Sequence, residues 1–155
     1  MIYLTYEDLL EMSDKESLIV REKDIPGYGG RIYRNRIAIN RDLTQKQKAC
    51  VLAEEIGHYK TSTGNILDQS DTENRKQEYR ARLYGYNLKV GLMGIVQAYE
   101  AGCRNLHETA ELLDVTEEYL IEVLDAYRRK YGCGTEFDNY IVMFEPYLAV
   151  IRKLE

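Results

Sequence analysis

The residues best suited to chemistry are two adjacent glutamates and a histidine in residues 50–59, which read CVLAEEIGHY. On a helix, Glu54 and His58 lie four positions apart and project from one face, close enough to bind a single metal ion. In the zinc motif H-E-x-x-H, two histidines bind the metal and the glutamate after the first is the general base. Here Glu54 replaces the first histidine, while Glu55 and His58 keep the positions of base and second ligand. The segment therefore predicts a metal site with the usual spacing and one altered ligand.

A third protein ligand is expected from the next helix, where Glu78 follows His58 by twenty residues. Three protein ligands, Glu54, His58 and Glu78, would leave the fourth position open for water, as catalytic zinc sites do. Glu55 is turned from Glu54 by about 100° of helix, so it can accept a proton from that water during attack on a peptide carbonyl. A carboxylate in place of histidine adds negative charge, which lessens the Lewis acidity of zinc and favours a harder ion such as Mn²⁺.

The same residues also have a simpler interpretation. Adjacent acidic residues are common on exposed helices that bind nothing, and a single histidine on a helix is more often a surface or hydrogen-bonded residue. His107 is interpreted as part of a helical hairpin rather than as a ligand. Four tyrosines near the motif are predicted to be core residues, although one of them beside a metal would stabilise an oxyanion: Tyr59, Tyr79, Tyr84 and Tyr86.

Length and composition indicate one globular domain that does not enter a membrane. The 155 residues can bury a core without disulfides, and 45% hydrophobic with 30% charged residues is ordinary for a soluble protein. The net charge of -5 disfavours coating of a polyanion, so no direct binding to nucleic acid is expected. The first twenty residues are acidic without an apolar run, and no stretch has the roughly 18 apolar residues of a membrane span. We therefore expect a cytoplasmic protein whose three cysteines, Cys50, Cys103 and Cys133, are reduced thiols.

The elements before the motif are predicted to be one helix and three short strands. Thr5 is placed as the N-cap of a helix over residues 6–12. A strand at residues 18–20 ends in the glycine-rich turn of residues 25–30, which lacks the following helix that a phosphate-binding loop needs. Residues 31–33 and 36–39 alternate polar and apolar side chains, which favours a twisted hairpin or two edge strands.

The motif itself is placed on a helix that begins after Thr44 and continues through Tyr59. Its apolar residues fall on one face, which should pack on the sheet: Ala49, Leu52, Ala53 and Ile56. Residues 61–72 read as a connecting loop, and helices are predicted over residues 73–91 and 92–101.

The C-terminal third is predicted to hold a helical hairpin and a β-hairpin. Residues 107–113 and 116–131 match a helix-turn-helix outline, but Glu117 and Glu118 at the start of the second helix would repel phosphate. We therefore interpret them as a structural hairpin or a surface for a protein partner. Two apolar runs around Pro146 predict the β-hairpin. The expected fold class is α+β in a single domain over residues 1–155: a core at about 1–100, a helical hairpin at 104–131 and a C-terminal hairpin at 137–155.

From about residue 37 to residue 92 the chain resembles the ImmA/IrrE family of metallopeptidases. The resemblance rests on Ile-Ala-Ile-Asn, on Leu-Ala-Glu-Glu-Ile-Gly-His-Tyr, and on the segment from Glu78 to Ala81. It implies a zincin-like core, Zn²⁺ (or Mn²⁺) bound by Glu54, His58 and Glu78, and Glu55 as the catalytic residue. Family members occur in phages, integrative elements and bacterial chromosomes, commonly beside a helix-turn-helix repressor.

The activity that this resemblance implies is site-specific cleavage of that repressor, which derepresses the mobile element or a stress response. Two alternatives stay open from the sequence. One is a non-catalytic anti-repressor that binds the repressor without cutting it. The other is direct DNA binding through residues 107–131, which the acidic residues at the start of the second helix disfavour.

Overall fold

A computed structural model of the protein describes residues 3–62 and 71–154. The chain forms two compact units, one of Leu4–Leu88 and one of Lys89–Glu155 with Met1–Tyr3. The structure confirms an α+β fold, with six helices and two three-stranded sheets in the described residues. The expectation of a single domain over the whole chain stays a prediction.

The first unit contains a helix, a mixed sheet and two longer helices. Its elements are α1 (Tyr6–Lys15), β1 (Ile19–Lys23), β2 (Gly30–Tyr33), β3 (Arg36–Asn40), α2 (Gln45–Thr61) and α3 (Asp71–Lys89). The strand order is β1-β3-β2, with β1 parallel and β2 antiparallel to β3. The three predicted strands thus form one small mixed sheet. Helix α1 begins where expected, at the capping box formed by Thr5 and Asp8. It ends three residues past its predicted end, with Glu16 as the C-cap.

The loop predicted over residues 61–72 is helical at both of its ends. Thr61 closes α2 and Asp71 opens α3, so both ends of that segment are helical. Residues 63–70 lie outside the described residues.

The core of the first unit lies between the sheet, α1 and α2. Ile37 and Ile39 of β3 point at α2 because side chains alternate along a strand, and both are fully buried. Helix α2 packs on the sheet through the apolar face predicted from its sequence. The four buried residues of that face are Ala49, Leu52, Ala53 and Ile56. The sheet therefore fixes one face of α2 and leaves the opposite face available for chemistry.

The second unit contains three helices and an antiparallel sheet. Its elements are α4 (Gly91–Glu100), α5 (Leu106–Leu113), α6 (Glu117–Tyr131), β4 (Gly134–Phe137), β5 (Tyr140–Met143) and β6 (Ala149–Arg152). The predicted helical hairpin is present as α5 and α6, with Asp114 in a left-handed conformation between them. The predicted C-terminal hairpin is present as β5 and β6.

Strand β4 is a feature that the sequence analysis missed. In the structure Gly134 opens this strand, which pairs with β5 in antiparallel orientation. The signal was present, because Asp138 and Asn139 form a two-residue connection with Asp138 at a φ of 52°. The C-terminal sheet is therefore a three-stranded meander rather than a single hairpin.

No helix in the described part of the chain is long and apolar enough to cross a bilayer. The three cysteines carry free thiols, as expected.

Candidate metal centre

Helix α2 carries three of the four predicted site residues, and its start is fixed by a capping box. The Thr44 side chain accepts a hydrogen bond from the backbone N–H of Gln47, and the Gln47 side chain accepts one from the N–H of Thr44. With the apolar face held by the sheet, Glu54 and His58 lie on the opposite, partly exposed face, while Glu55 is turned toward the interior. The capped start and the buried face together set which side chains point out.

Helix α3 brings the fourth residue by crossing α2 at very short range. A Cβ added at Gly57 would overlap the carbonyl oxygen of Ala81 and lie 3.0 Å from its carbonyl carbon. One turn along, a Cβ added at Gly85 would lie 3.0 Å from the carbonyl oxygen of Ala53. The backbones of the two helices approach so closely that only small residues fit at both positions. Helices that meet through larger side chains usually keep their axes 8–10 Å apart. The crossing places Glu78 beside His58.

The structure brings together the three predicted ligands. His58 Nε2 lies 3.5 Å from Glu78 Oε1 and 4.0 Å from Glu54 Oε1. One ligand atom from each residue lies within 4.8 Å of the others, and within the described residues this is the only such group of three.

These three side chains fit a divalent metal. Tetrahedral zinc with bonds of about 2.0–2.1 Å needs ligand atoms about 3.4 Å apart. The distance between His58 and Glu78 already meets this, and the half-exposed carboxylate of Glu54 can close the rest by rotation. One imidazole nitrogen with two carboxylates suits zinc or manganese. That the three bind a metal stays a prediction.

Glu55, the predicted base, is buried beside this group, with only 8% of its surface exposed. Burial, and after it the negative charges of Glu54 and Glu78, together raise the pKa of its carboxyl from 4.5 to about 7. A carboxyl group that exchanges its proton near neutral pH is suited to general acid and base catalysis.

Strand β2 forms a wall of the site directly beside Glu55. A Cβ added at Gly30 would lie 2.5 Å from Val51 and 3.4 Å from Cγ of Glu55. Glycine at this position therefore lets the edge of the sheet come into contact with the base. The sequence analysis assigned this glycine only to a turn.

Two further side chains at the site were not found from the sequence. Gln77 donates a hydrogen bond of 3.1 Å to Ser62 at the end of α2, and both line a small cavity of about 220 Å³ with His58 and Glu78. Arg82, one turn after Glu78 on α3, lies within ion-pair distance of the carboxylates of Glu54 and Glu78. A helix-period reading of α3 would have placed Arg82 and Glu78 on one face.

The remaining candidates behave differently from one another. His107 lies in the second unit, where its Nδ1 is 3.6 Å from Glu117, consistent with a residue of the helical hairpin.

The prediction that four tyrosines near the motif are core residues is wrong for three of them. Tyr59, Tyr79 and Tyr84 are each more than a third exposed, and only Tyr86 is buried. These three tyrosines lie on the solvent-exposed surface of their helices.

Comparison with known proteins gives one family. The model of Peptidase_M78, described as an IrrE N-terminal-like domain, matches residues 2–124, which is more than three quarters of the chain. No curated protein and no solved structure matches the chain.

Proposed function

The chain belongs to the Peptidase_M78 family of IrrE N-terminal-like domains, and from this membership we propose that it is a metal-dependent endopeptidase that cleaves a helix-turn-helix repressor of a phage or mobile element. The family is of metallopeptidase type and metal-dependent. The observation that carries the proposal is the convergence of Glu54, His58 and Glu78 beside the buried carboxyl of Glu55.

In this proposal Glu54, His58 and Glu78 hold the metal, with zinc as the first candidate and manganese as the second. When bound there, such an ion lowers the pKa of a water and polarises the scissile carbonyl. The donor set has one more negative charge than a set with two histidines and one glutamate, which is why the harder manganese ion is retained as a candidate.

Glu55 transfers a proton from the attacking water to the leaving amine. Its carboxylate accepts a proton from the attacking water as the water oxygen bonds to the carbonyl carbon. It then donates that proton to the amide nitrogen, so that the C–N bond breaks and the amine leaves uncharged. The raised pKa of Glu55 suits both halves of this transfer.

The proposed substrate class comes from the family resemblance, because the genes of family members commonly lie beside a repressor gene. The substrate to test is therefore a helix-turn-helix repressor whose gene neighbours the gene of this chain. The competing hypothesis is an anti-repressor that binds the same protein without cutting it.

The first experiment measures metal content by plasma mass spectrometry on protein purified without chelator. We expect about one zinc or manganese ion per chain in the wild type and in the control His107→Ala, and a loss of metal in His58→Ala and Glu78→Ala. A wild type that stays free of metal even after addition of zinc would overturn the peptidase proposal.

The second experiment incubates the protein with the neighbouring repressor and follows its fragments by mass spectrometry. We expect defined fragments that disappear with chelator and with Glu55→Gln, because the variant keeps the metal ligands and removes the base. Cleavage that is unchanged in Glu55→Gln would reject the assigned base. A stable complex without fragments would support the anti-repressor that binds only.

A further inference from the structure

The outer face of the N-terminal sheet has a charge opposite to that of the whole chain. Side chains alternate across a strand, so the residues that do not face α2 face outward. Four of these outward residues are cations and all are exposed: Arg21 and Lys23 on β1, Arg31 on β2 and Arg36 on β3. The acidic residue of β1, Glu22, points inward and contacts Lys48 of α2. A chain of net charge -5 thus presents one sheet face on which the outward charges are all positive.

The strand register arranges this face as a trough. Two rows cross the sheet: Ile19, Arg36 and Tyr33 in one, and Arg21, Ala38 and Arg31 in the next. Neighbouring strands are about 4.8 Å apart, so Arg21 and Arg31 stand roughly 10 Å apart with the small side chain of Ala38 between them. The volume of this cavity is about 640 Å³. It is wide enough for an extended segment whose acidic side chains reach the two walls.

The four cations of the trough are exposed, and Arg31 among them also lies over the Tyr28 ring. Among the described residues, none of the four forms an ion pair with a carboxylate. Three of the four are arginines, whose planar guanidinium groups bind carboxylates through two parallel hydrogen bonds. Holding like charges together on one face is unfavourable, which a bound anion would relieve.

The aromatic side chains of this face favour a peptide over a nucleic acid. Single-stranded nucleic acids bind such sheets by stacking bases on exposed aromatic rings. Here the guanidinium of Arg31 lies 4.6 Å from the centre of the Tyr28 ring, and that of Arg34 lies 5.3 Å from the Tyr33 ring. Both rings therefore already have one face covered by a cation. Beside Arg36, the exposed side chains of Ile19 and Tyr33 offer apolar contacts that suit the side chains of a polypeptide.

The outer face and the candidate metal centre lie on opposite sides of the edge strand β2. Gly30 of this strand contacts Glu55, and the next residue, Arg31, is a wall of the trough. A polypeptide whose scissile bond lies beside Glu55 has to pass the edge of β2. Residues a short distance from that bond are then within reach of the trough.

We infer that the outward face of this sheet, centred on Arg21, Ala38, Arg31 and Arg36, is a docking site for an acidic segment of the polypeptide substrate that flanks the scissile bond. The inference rests on the proposed endopeptidase function for the identity of the polypeptide. It does not require cleavage for the binding itself.

The test measures binding to full-length Glu55→Gln protein by fluorescence anisotropy. The probe is a labelled, extended peptide of about twelve residues with four glutamates, and the matched probe replaces these by glutamines. We expect the glutamate peptide to bind about tenfold more tightly than the glutamine peptide at low salt, and to weaken as salt screens the charges. We expect Arg21→Glu with Arg36→Glu to abolish the difference, whereas the control Lys76→Glu with Arg80→Glu on α3 retains it with the same change of net charge.

A second variant, Ala38→Leu, fills the floor of the trough without changing charge, and we expect weaker binding with an unchanged melting temperature. Equal binding of both peptides, or full binding by the sheet variant, would overturn the inference. Binding that is lost with chelator would place the peptide at the metal instead. Tighter binding of a twelve-nucleotide single strand than of the glutamate peptide would assign the face to nucleic acid. Each of these results is independent of cleavage, so failure of the docking site and failure of the peptidase proposal are separable.

Discussion

Nε of Arg82 lies 3.8 Å from Oε1 of Glu54, the residue that occupies the place of the first histidine in the zinc motif. The same nitrogen is 3.7 Å from Oε1 of Glu78. Glutamate in place of a neutral histidine adds one negative charge to the donor set, and Arg82 brings one positive charge to the same carboxylates. The site and its arginine together therefore have the formal charge of a site with two histidines and one glutamate.

This relationship predicts that Arg82 weakens the binding of a divalent cation. Arg82→Gln removes a positive charge a few ångströms from the metal position, and we expect metal affinity to rise about three- to tenfold at low salt, because the pair is partly exposed and screened. A chelator competition titration measures this. Arg80→Gln, which lies on the exposed face of the same helix, is the matched control and should leave the affinity unchanged. A fall in affinity in Arg82→Gln would instead mean that the arginine holds the two carboxylates in place.

The burial of Glu55 predicts a pH dependence of stability in the metal-free protein. Its pKa is raised from the ordinary 4.5 to about 7, so between these values the native state keeps a proton that the unfolded state has lost. Glu55 therefore contributes roughly 1–3 kcal/mol to the free energy of unfolding. This contribution is fully present below pH 4.5 and is lost as pH rises through about 7.

Glu55→Gln should not lose this contribution, so its free energy of unfolding in chelator should change less than that of the wild type between pH 5 and pH 8. Denaturant titrations at several pH values test the difference. Addition of zinc should reduce the wild-type loss, because a cation offsets the charges of Glu54 and Glu78 that raise the pKa of Glu55. Parallel pH profiles of the two proteins would show that Glu55 is not the group responsible.

Local signals were sufficient to predict the first unit in outline. The capping residues Thr5 and Thr44 begin α1 and α2 where expected, and the alternation around Ile37 and Ile39 predicts strand β3 and its buried face. These signals work because each depends on residues a few positions apart. The spacing of Glu54, Glu55 and His58 belongs to the same class, since a single helix fixes their directions.

Long-range contacts were beyond the sequence analysis. The role of Gly57 depends on Ala81, and the role of Gly30 depends on Glu55, and neither partner can be identified from helix or strand period. The cationic sheet face likewise depends on contacts between residues that are far apart in the sequence. Net charge sums over the whole chain, whereas the face exists only because three strands align Arg21, Arg31 and Arg36 on one side.

A partly buried ion pair between the sheet and α2 gives a further prediction. Lys48 of α2 is buried, and its Nζ lies 2.8 Å from Glu22 of β1, which also accepts a hydrogen bond from Tyr6. The hydrogen bond from Lys48 lowers the pKa of Glu22 below its ordinary value of 4.5. The stabilisation by Glu22 is therefore present above pH 4.5 and is lost as pH falls through its lowered folded pKa.

Glu22→Gln should destabilise the protein at pH 7 by about 1 kcal/mol, because the Lys48 ammonium loses its charged partner while the 40% exposure of the Glu22 side chain lets water screen part of the effect. The difference from the wild type should shrink as pH falls below about 4.5. Glu16→Gln is the control, since it breaks the more exposed pair with Lys60 and should have little effect. Thermal melts over this pH range distinguish the two, and equal effects at pH 7 would contradict the importance of burial.

The close crossing of α2 and α3 predicts an inversion of the usual effect of glycine in a helix. Replacing a helical glycine by alanine ordinarily stabilises a protein by up to about 1 kcal/mol. At Gly57 the added methyl overlaps the backbone of Ala81, so the helices must separate and Glu78 must move away from His58. We therefore expect Gly57→Ala to lower both the melting temperature and the metal affinity. Gly85→Ala, whose methyl would approach Ala53 at 3.0 Å, should have a smaller effect in the same direction. An unchanged or raised melting temperature in Gly57→Ala, with full metal content, would show that the two helices do not need this contact to assemble the site.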